Sequence, residues 1–198
     1  MKHTPIVFRV ALVGAVVMGA LVSCTALQSA RVPTQAVQEE AGTGLRWLAG
    51  LTAHSKAHEA ALKASTRATF TAMASLGSLR RVIALALSFT ACMVCAGAIF
   101  MRMSMRMKMA RLVGTMAFAT AFLRTLQGAY ELIIAQRAAK AGIQVLVAAD
   151  VPQASEGAEL TVWMVSTFSI VWTLVVVGTF MLLGSYWRSP AVSQLLED

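Results

Sequence analysis

Twenty consecutive residues without a charge, VIALALSFTACMVCAGAIFM at 82–101, restrict this chain more than any other feature of it. A second uncharged run, LTVWMVSTFSIVWTLVVVGTFMLL, occupies 160–183, and LVGTMAFATAFLRTLQGAYELIIA at 112–135 carries only one arginine and one glutamate. A helix rising about 1.5 Å per residue needs roughly 20 apolar residues to cross about 30 Å of hydrocarbon. Each run is long enough. Membrane-spanning strands would alternate apolar and polar positions, which these runs do not. The expected fold is all-α: a small helical membrane protein with an N-terminal signal or signal-anchor segment, three transmembrane helices and an extracytoplasmic amphipathic helix. Composition agrees, since 13% of residues are charged against about 25% in soluble domains.

The first 27 residues have the layout of an export signal. Lys2 and Arg9 supply a positive end, and Val10 to Leu21 an apolar stretch of signal-peptide length. The stretch closes on Leu21-Val22-Ser23-Cys24, an order that resembles the lipobox of bacterial lipoproteins. The resemblance covers those four residues and their upstream context. It implies a diacylglyceryl group on Cys24 and removal of residues 1–23. Two other outcomes stay open, an uncleaved signal-anchor helix and ordinary cleavage after a small residue. All three send residue 28 onward across the membrane.

Residues 28–81 form the one long polar segment. Pro33, Gly42 and Gly44 mark its beginning as loop, and Leu45, Leu48 and Leu51 then recur at helical spacing. The Ala-, Ser- and Thr-rich continuation predicts an amphipathic helix that enters the 82–101 span, with a break near Gly77. Orientation follows from cations in short loops. Residues 102–111 carry Arg102, Arg106, Lys108 and Arg111 without an acid, whereas 136–159 offset Arg137 and Lys140 with Asp150, Glu156 and Glu159. The Met-rich 102–111 loop is thus expected in the cytoplasm, with 28–81 and the 136–159 loop outside. After a last span at 160–184, a tail at 185–198 would be cytoplasmic. Arg80 and Arg81 run against this assignment. The location implied is a bacterial inner membrane, crossed several times. The net charge of +8 then reads as cations flanking spans and meeting head groups. No zinc-finger spacing, aromatic RNA-binding motif or basic recognition helix accompanies it, so nucleic acid is not an expected partner.

Arg124, Gln127 and Glu131 are the candidate site, an intramembrane polar face. Spacings of three and four place them on one side of a helix. Counting from Leu112 puts Arg124 near mid-membrane, where a charge costs at least ~3 kcal/mol. That face should therefore turn toward the bundle, an oligomer interface or a hydrated cavity. Cys92 and Cys95 have redox or metal spacing, but they also lie beside a four-residue repeat of small residues, Ala84, Ser88, Cys92 and Ala96. Such repeats let membrane helices approach closely, and a second one runs through Ala117, Ala121, Thr125 and Ala129. With Cys92 and Cys95, the thioethers of Met101, Met103 and Met105 would suit Cu(I), although interleaved cations would repel the metal. His54 and His58 stand four apart and could clasp a metal with further ligands. The three cysteines make no disulfide framework.

No phosphate loop, Ser-His-Asp set or paired carboxylates occur in the sequence, so neither an enzymatic activity nor a cofactor is expected. The expected function is that of an interaction or accessory protein associating laterally with a second copy or another membrane protein. A small oligomeric transporter or channel component using Arg124, Gln127 and Glu131, a sensor relaying through a partner, and copper handling are the alternatives.

Overall fold

A computed structural model describes residues 6–30, 55–103, 107–150 and 154–197. They form five helices: α1 (Ile6–Ala30), α2 (Ser55–Met103), α3 (Met107–Ala148), α4 (Ala154–Trp187) and α5 (Pro190–Glu197). There is no strand among the described residues, and the chain is all-α. Three stretches are long and apolar enough to cross a membrane: Ile6–Ala30, Gly77–Met101 and Leu160–Trp187. The 112–135 run, expected as a third transmembrane helix, is not among them. It lies within the 42-residue α3, but Arg124, Gln127 and Glu131 dilute its hydropathy.

Gly77 interrupts α2 with φ 44° and ψ −123°. This is the break anticipated there, at a backbone conformation that only glycine adopts readily. The two expected loops around α3 are largely helix instead. α2 continues through Met103, and α3 starts at Met107 and runs to Ala148. Charge does not end a helix, and Ala, Met, Arg, Lys and Gln are all good helix formers. α3 stops where its last turn tightens, with the Ala149 and Asp150 amides donating to Val145 and Val147 oxygens at 3.0 and 3.1 Å. Asp150 has a positive φ of 53°, which aspartate tolerates better than most residues, and Pro152 follows. The expected tail is helical too, because Pro190 occupies the first position of α5, where its missing N–H is harmless.

The chain divides into two compact units. The first comprises Met1–Arg31, Arg81–Gln127 and Trp172–Asp198, the second Val32–Arg80 and Gly128–Val171. In the first, buried residues recur at alternating spacings of three and four. On α2 they are Ala84, Leu87, Ala91, Val94, Ala98 and Met101, and on α4 Val176, Phe180, Leu183 and Trp187. On α3 the series is Ala110, Val113, Ala117, Thr120, Arg124 and Gln127. This is the seam of helices packing side by side, knobs into holes.

The phase differs from the four-residue repeats read in the sequence. Ala84 is buried, but Cys92 is exposed, as are Thr125 and Ala129 on α3. Each step of four overshoots a turn by about 40°, so after two or three steps the residue has left the face.

Alpha1 belongs to this core. Phe8, Ala15, Gly19, Val22 and Ala26 are its buried positions. A Cβ on Gly19 would lie 2.8 Å from the Ala91 carbonyl oxygen and 3.0 Å from Cys95 Cβ, so the α1 backbone closes directly on that of α2. Ser23 Oγ donates to the Ser88 carbonyl and Ser88 Oγ to the Ser23 carbonyl, both at 3.1 Å. Phe8 meets Trp187 edge to face, with ring centroids 5.3 Å apart. α3 and α4 also close on glycine, since a Cβ on Gly184 would sit 3.1 Å from the Phe118 ring.

Fewer large apolar side chains are buried among the described residues of the second unit. Ala61, Ala72, Tyr130 and Ile134 are buried in it, and a Cβ on Gly142 would meet the Ala61 carbonyl and Ser65 Cβ at 3.4 Å. Gln136 Nε2 donates to Ser166 Oγ at 3.1 Å, joining α3 to α4.

Candidate functional site

Arg124 and Gln127 take consecutive seam positions on α3, after Val113, Ala117 and Thr120. They are only 8% and 3% exposed. The polar face therefore lies inside the first unit at these two residues, turned there by the same three-and-four register that buries the apolar residues before them. Gln127 Nε2 donates to Ser29 Oγ on α1 at 3.4 Å, and Ser29 Oγ in turn donates to the Ala26 carbonyl at 2.8 Å. Glu131, next in the register, is half-buried and belongs to the second unit. All three residues have further interactions, so none stands as a bare polar group.

Along α1, the site lies toward the C-terminal end. Ser29 is the last residue but one of α1. It stands eleven residues from the helix midpoint, roughly 16 Å at 1.5 Å per residue, about the half-thickness of a hydrocarbon layer. Gln127 is level with it, and Arg124 lies one turn further in. The sequence count started at Leu112, whereas α3 starts at Met107 and is set against α1 by the Gln127–Ser29 contact. The polar residues thus sit near the C-terminal end of α1.

Of the sulfur and histidine candidates, the side chains of Cys92, Cys95 and Met101 are described. Cys92 is exposed and Cys95 half-buried, both as free thiols. Met101 is completely buried in the core of the first unit and lies about two turns beyond Cys95. Met105 and His54 fall outside the described residues, as do the side chains of Met103 and His58. Among the described residues no three His, Cys, Asp or Glu side chains are grouped closely enough to hold a metal. Cys24 is exposed on an unbroken α1. Its neighbours Val22 and Ser23 are engaged, one buried and one hydrogen-bonded to α2.

Two features went unread in the sequence. The Ser23–Ser88 pair joins residues 65 positions apart, and no local pattern announces such a bond. In the second unit a groove of about 530 Å³ opens between α3 and α4, lined by Gln136, Lys140, Ile143, Gln144, Val162, Trp163 and Ser166. The spacing of Gln136, Lys140, Ile143 and Gln144 marks one helical face, but their polarity made this stretch read as loop. A smaller groove of about 400 Å³ lies between α2 and α3 beside Arg67 and Arg137.

The chain matches no protein-family model, no curated protein and no solved structure.

Proposed function

We propose that this chain is a non-enzymatic accessory or interaction subunit of a bacterial inner membrane, anchored by a retained α1 and associating laterally through its helices. The observation that carries the lateral reading is the uneven burial of the apolar heart of each span. Within an apolar 18-residue window of each, 28% of the residues are buried in Ile6–Ala30 and 33% in Gly77–Met101, but only 6% in Leu160–Trp187, whose buried residues gather toward its C-terminal end. Trp163, Phe168, Trp172 and Leu182 stand open along that helix, a broad apolar side for a second copy or another membrane protein. Retention of α1 draws support from its place in the core: removal of residues 1–23 would strip out Phe8, Ala15, Gly19 and Val22 and leave the Ser88 hydroxyl without Ser23.

In this reading Arg124 and Gln127 are a positioning pair. A polar residue in an otherwise apolar seam fixes which turns of two helices lie opposite each other, and Gln127 does this for α3 against Ser29 of α1. With α3 crossing beside the three apolar spans, residues 28–81 would lie outside and the C-terminus in the cytoplasm, following the cation bias. Affinity purification of the full chain in mild detergent, with mass spectrometry and native mass measurement, tests the proposal. A defined oligomer or a stoichiometric membrane partner supports it, and a monodisperse monomer with no partner overturns it. A transport role for the same residues predicts instead a permeability in proteoliposomes that Glu131→Gln abolishes.

A further inference from the structure

We infer that the groove between α3 and α4 holds the head group and upper acyl chain of an anionic phospholipid. Its volume, about 530 Å³, falls in the range of ligand-binding clefts, and its lining is divided by chemistry. α3 contributes Gln136, Lys140 and Gln144, an ammonium flanked by two amides, while Ile143, Val162 and Trp163 give an apolar and aromatic wall. The Gln136–Ser166 hydrogen bond ties the two walls together.

The place of the groove along α4 decides the class of occupant. Val162 and Trp163 stand in the first turn of the apolar stretch that begins at Leu160, and Trp163 is 66% exposed. Tryptophan at the end of an apolar helix marks head-group depth in membrane proteins. Lys140 is exposed, and no carboxylate is among the described residues lining the groove. A cation with neighbouring amide donors suits a phosphodiester, and the adjoining apolar wall suits the first carbons of an acyl chain. Inorganic phosphate would satisfy the first group and leave the second in water. The occupant that uses both is a lipid with net negative charge.

This inference rests on α4 crossing a membrane, which alkaline extraction of membranes tests separately: a chain released by carbonate would sink that reading before any lipid is added. With a chain that resists extraction, delipidated full-length protein in mild detergent is examined by native mass spectrometry. The probes are phosphatidylglycerol, phosphatidylcholine and inorganic phosphate. Phosphatidylglycerol should be retained as a discrete adduct in preference to phosphatidylcholine, with no phosphate adduct. Lys140→Gln should lower its apparent affinity about five-fold, the loss of one cation's attraction to an anionic head group. Trp163→Ala should weaken both lipids together, and exposed Lys108→Gln, away from the groove, should change neither. Equal retention of the two lipids, retention of phosphate, or adducts unchanged by Lys140→Gln would overturn the assignment.

Discussion

Replacing Gly19 by alanine adds one methyl group where α1 and α2 touch. The new Cβ would stand 2.8 Å from the Ala91 carbonyl oxygen and 3.1 Å from the Cys95 amide nitrogen. Both atoms belong to backbone, so no side chain can rotate away. Ordinary contacts between such atoms lie nearer 3.5 Å, so the helices must separate by about half an ångström along that turn. Overpacking of this kind costs about 1–3 kcal/mol. It is partly offset by the ~1 kcal/mol that alanine gains over glycine inside a helix. Gly14 supplies the control, because nothing lies within 4 Å of its Cβ position, and Gly14→Ala should gain the helix term alone. The two variants should therefore differ by roughly 1–3 kcal/mol, or several degrees in Tm for a chain of this size. Thermal unfolding in mild detergent, followed by tryptophan fluorescence, reads the difference, since Trp187 packs on Phe8 of α1. A Gly19→Ala protein as stable as Gly14→Ala would refute the close packing of α1 on α2.

Other expectations follow from the same packing. Ser23→Ala should lose about 0.5–1.5 kcal/mol in that assay, and adding Ser88→Ala should cost less than a second full decrement, because the two hydroxyls also bond each other at 3.1 Å. Gln127→Leu should destabilise by about 1 kcal/mol through loss of the Ser29 contact, whereas Thr125→Leu, on an exposed position two residues away, should stay within about 0.5 kcal/mol. Gly77→Ala should cost about 1–3 kcal/mol. That cost comes from backbone conformation alone, since φ is +44° and the space around its Cβ position is open. Gly178→Ala, in an equally open position at ordinary helical φ, should not share it.

Which parts were legible in the sequence depended on whether the signal was local. Length and apolarity of the 82–101 and 160–183 runs needed no tertiary information, and the glycine break at Gly77 was visible as a punctuation mark in a helical pattern. Helix phase was harder. A repeat of four looks like a seam over two turns, but packing selects the three-and-four register that stays on one face. Cys92 and Thr125 fell off that face while Leu87 and Thr120 entered it. The stretches flanking the 112–135 run read as loop because charge was taken as an end of helix, whereas α3 continues to Ala148. Arg124, Gln127 and Glu131 were identifiable as a set from composition and spacing. The partner of Gln127 was not, since Ser29 stands 98 positions away.

The account stands or falls on whether α1 remains in the folded protein. The direct measurement is the intact mass of the chain expressed from its full sequence and extracted from bacterial membranes. A mass near the 21.1 kDa of residues 1–198, with Cys24 unmodified, is the predicted result. A mature species that begins at Cys24, with or without a diacylglyceryl group, or one cut after another small residue nearby, would contradict it.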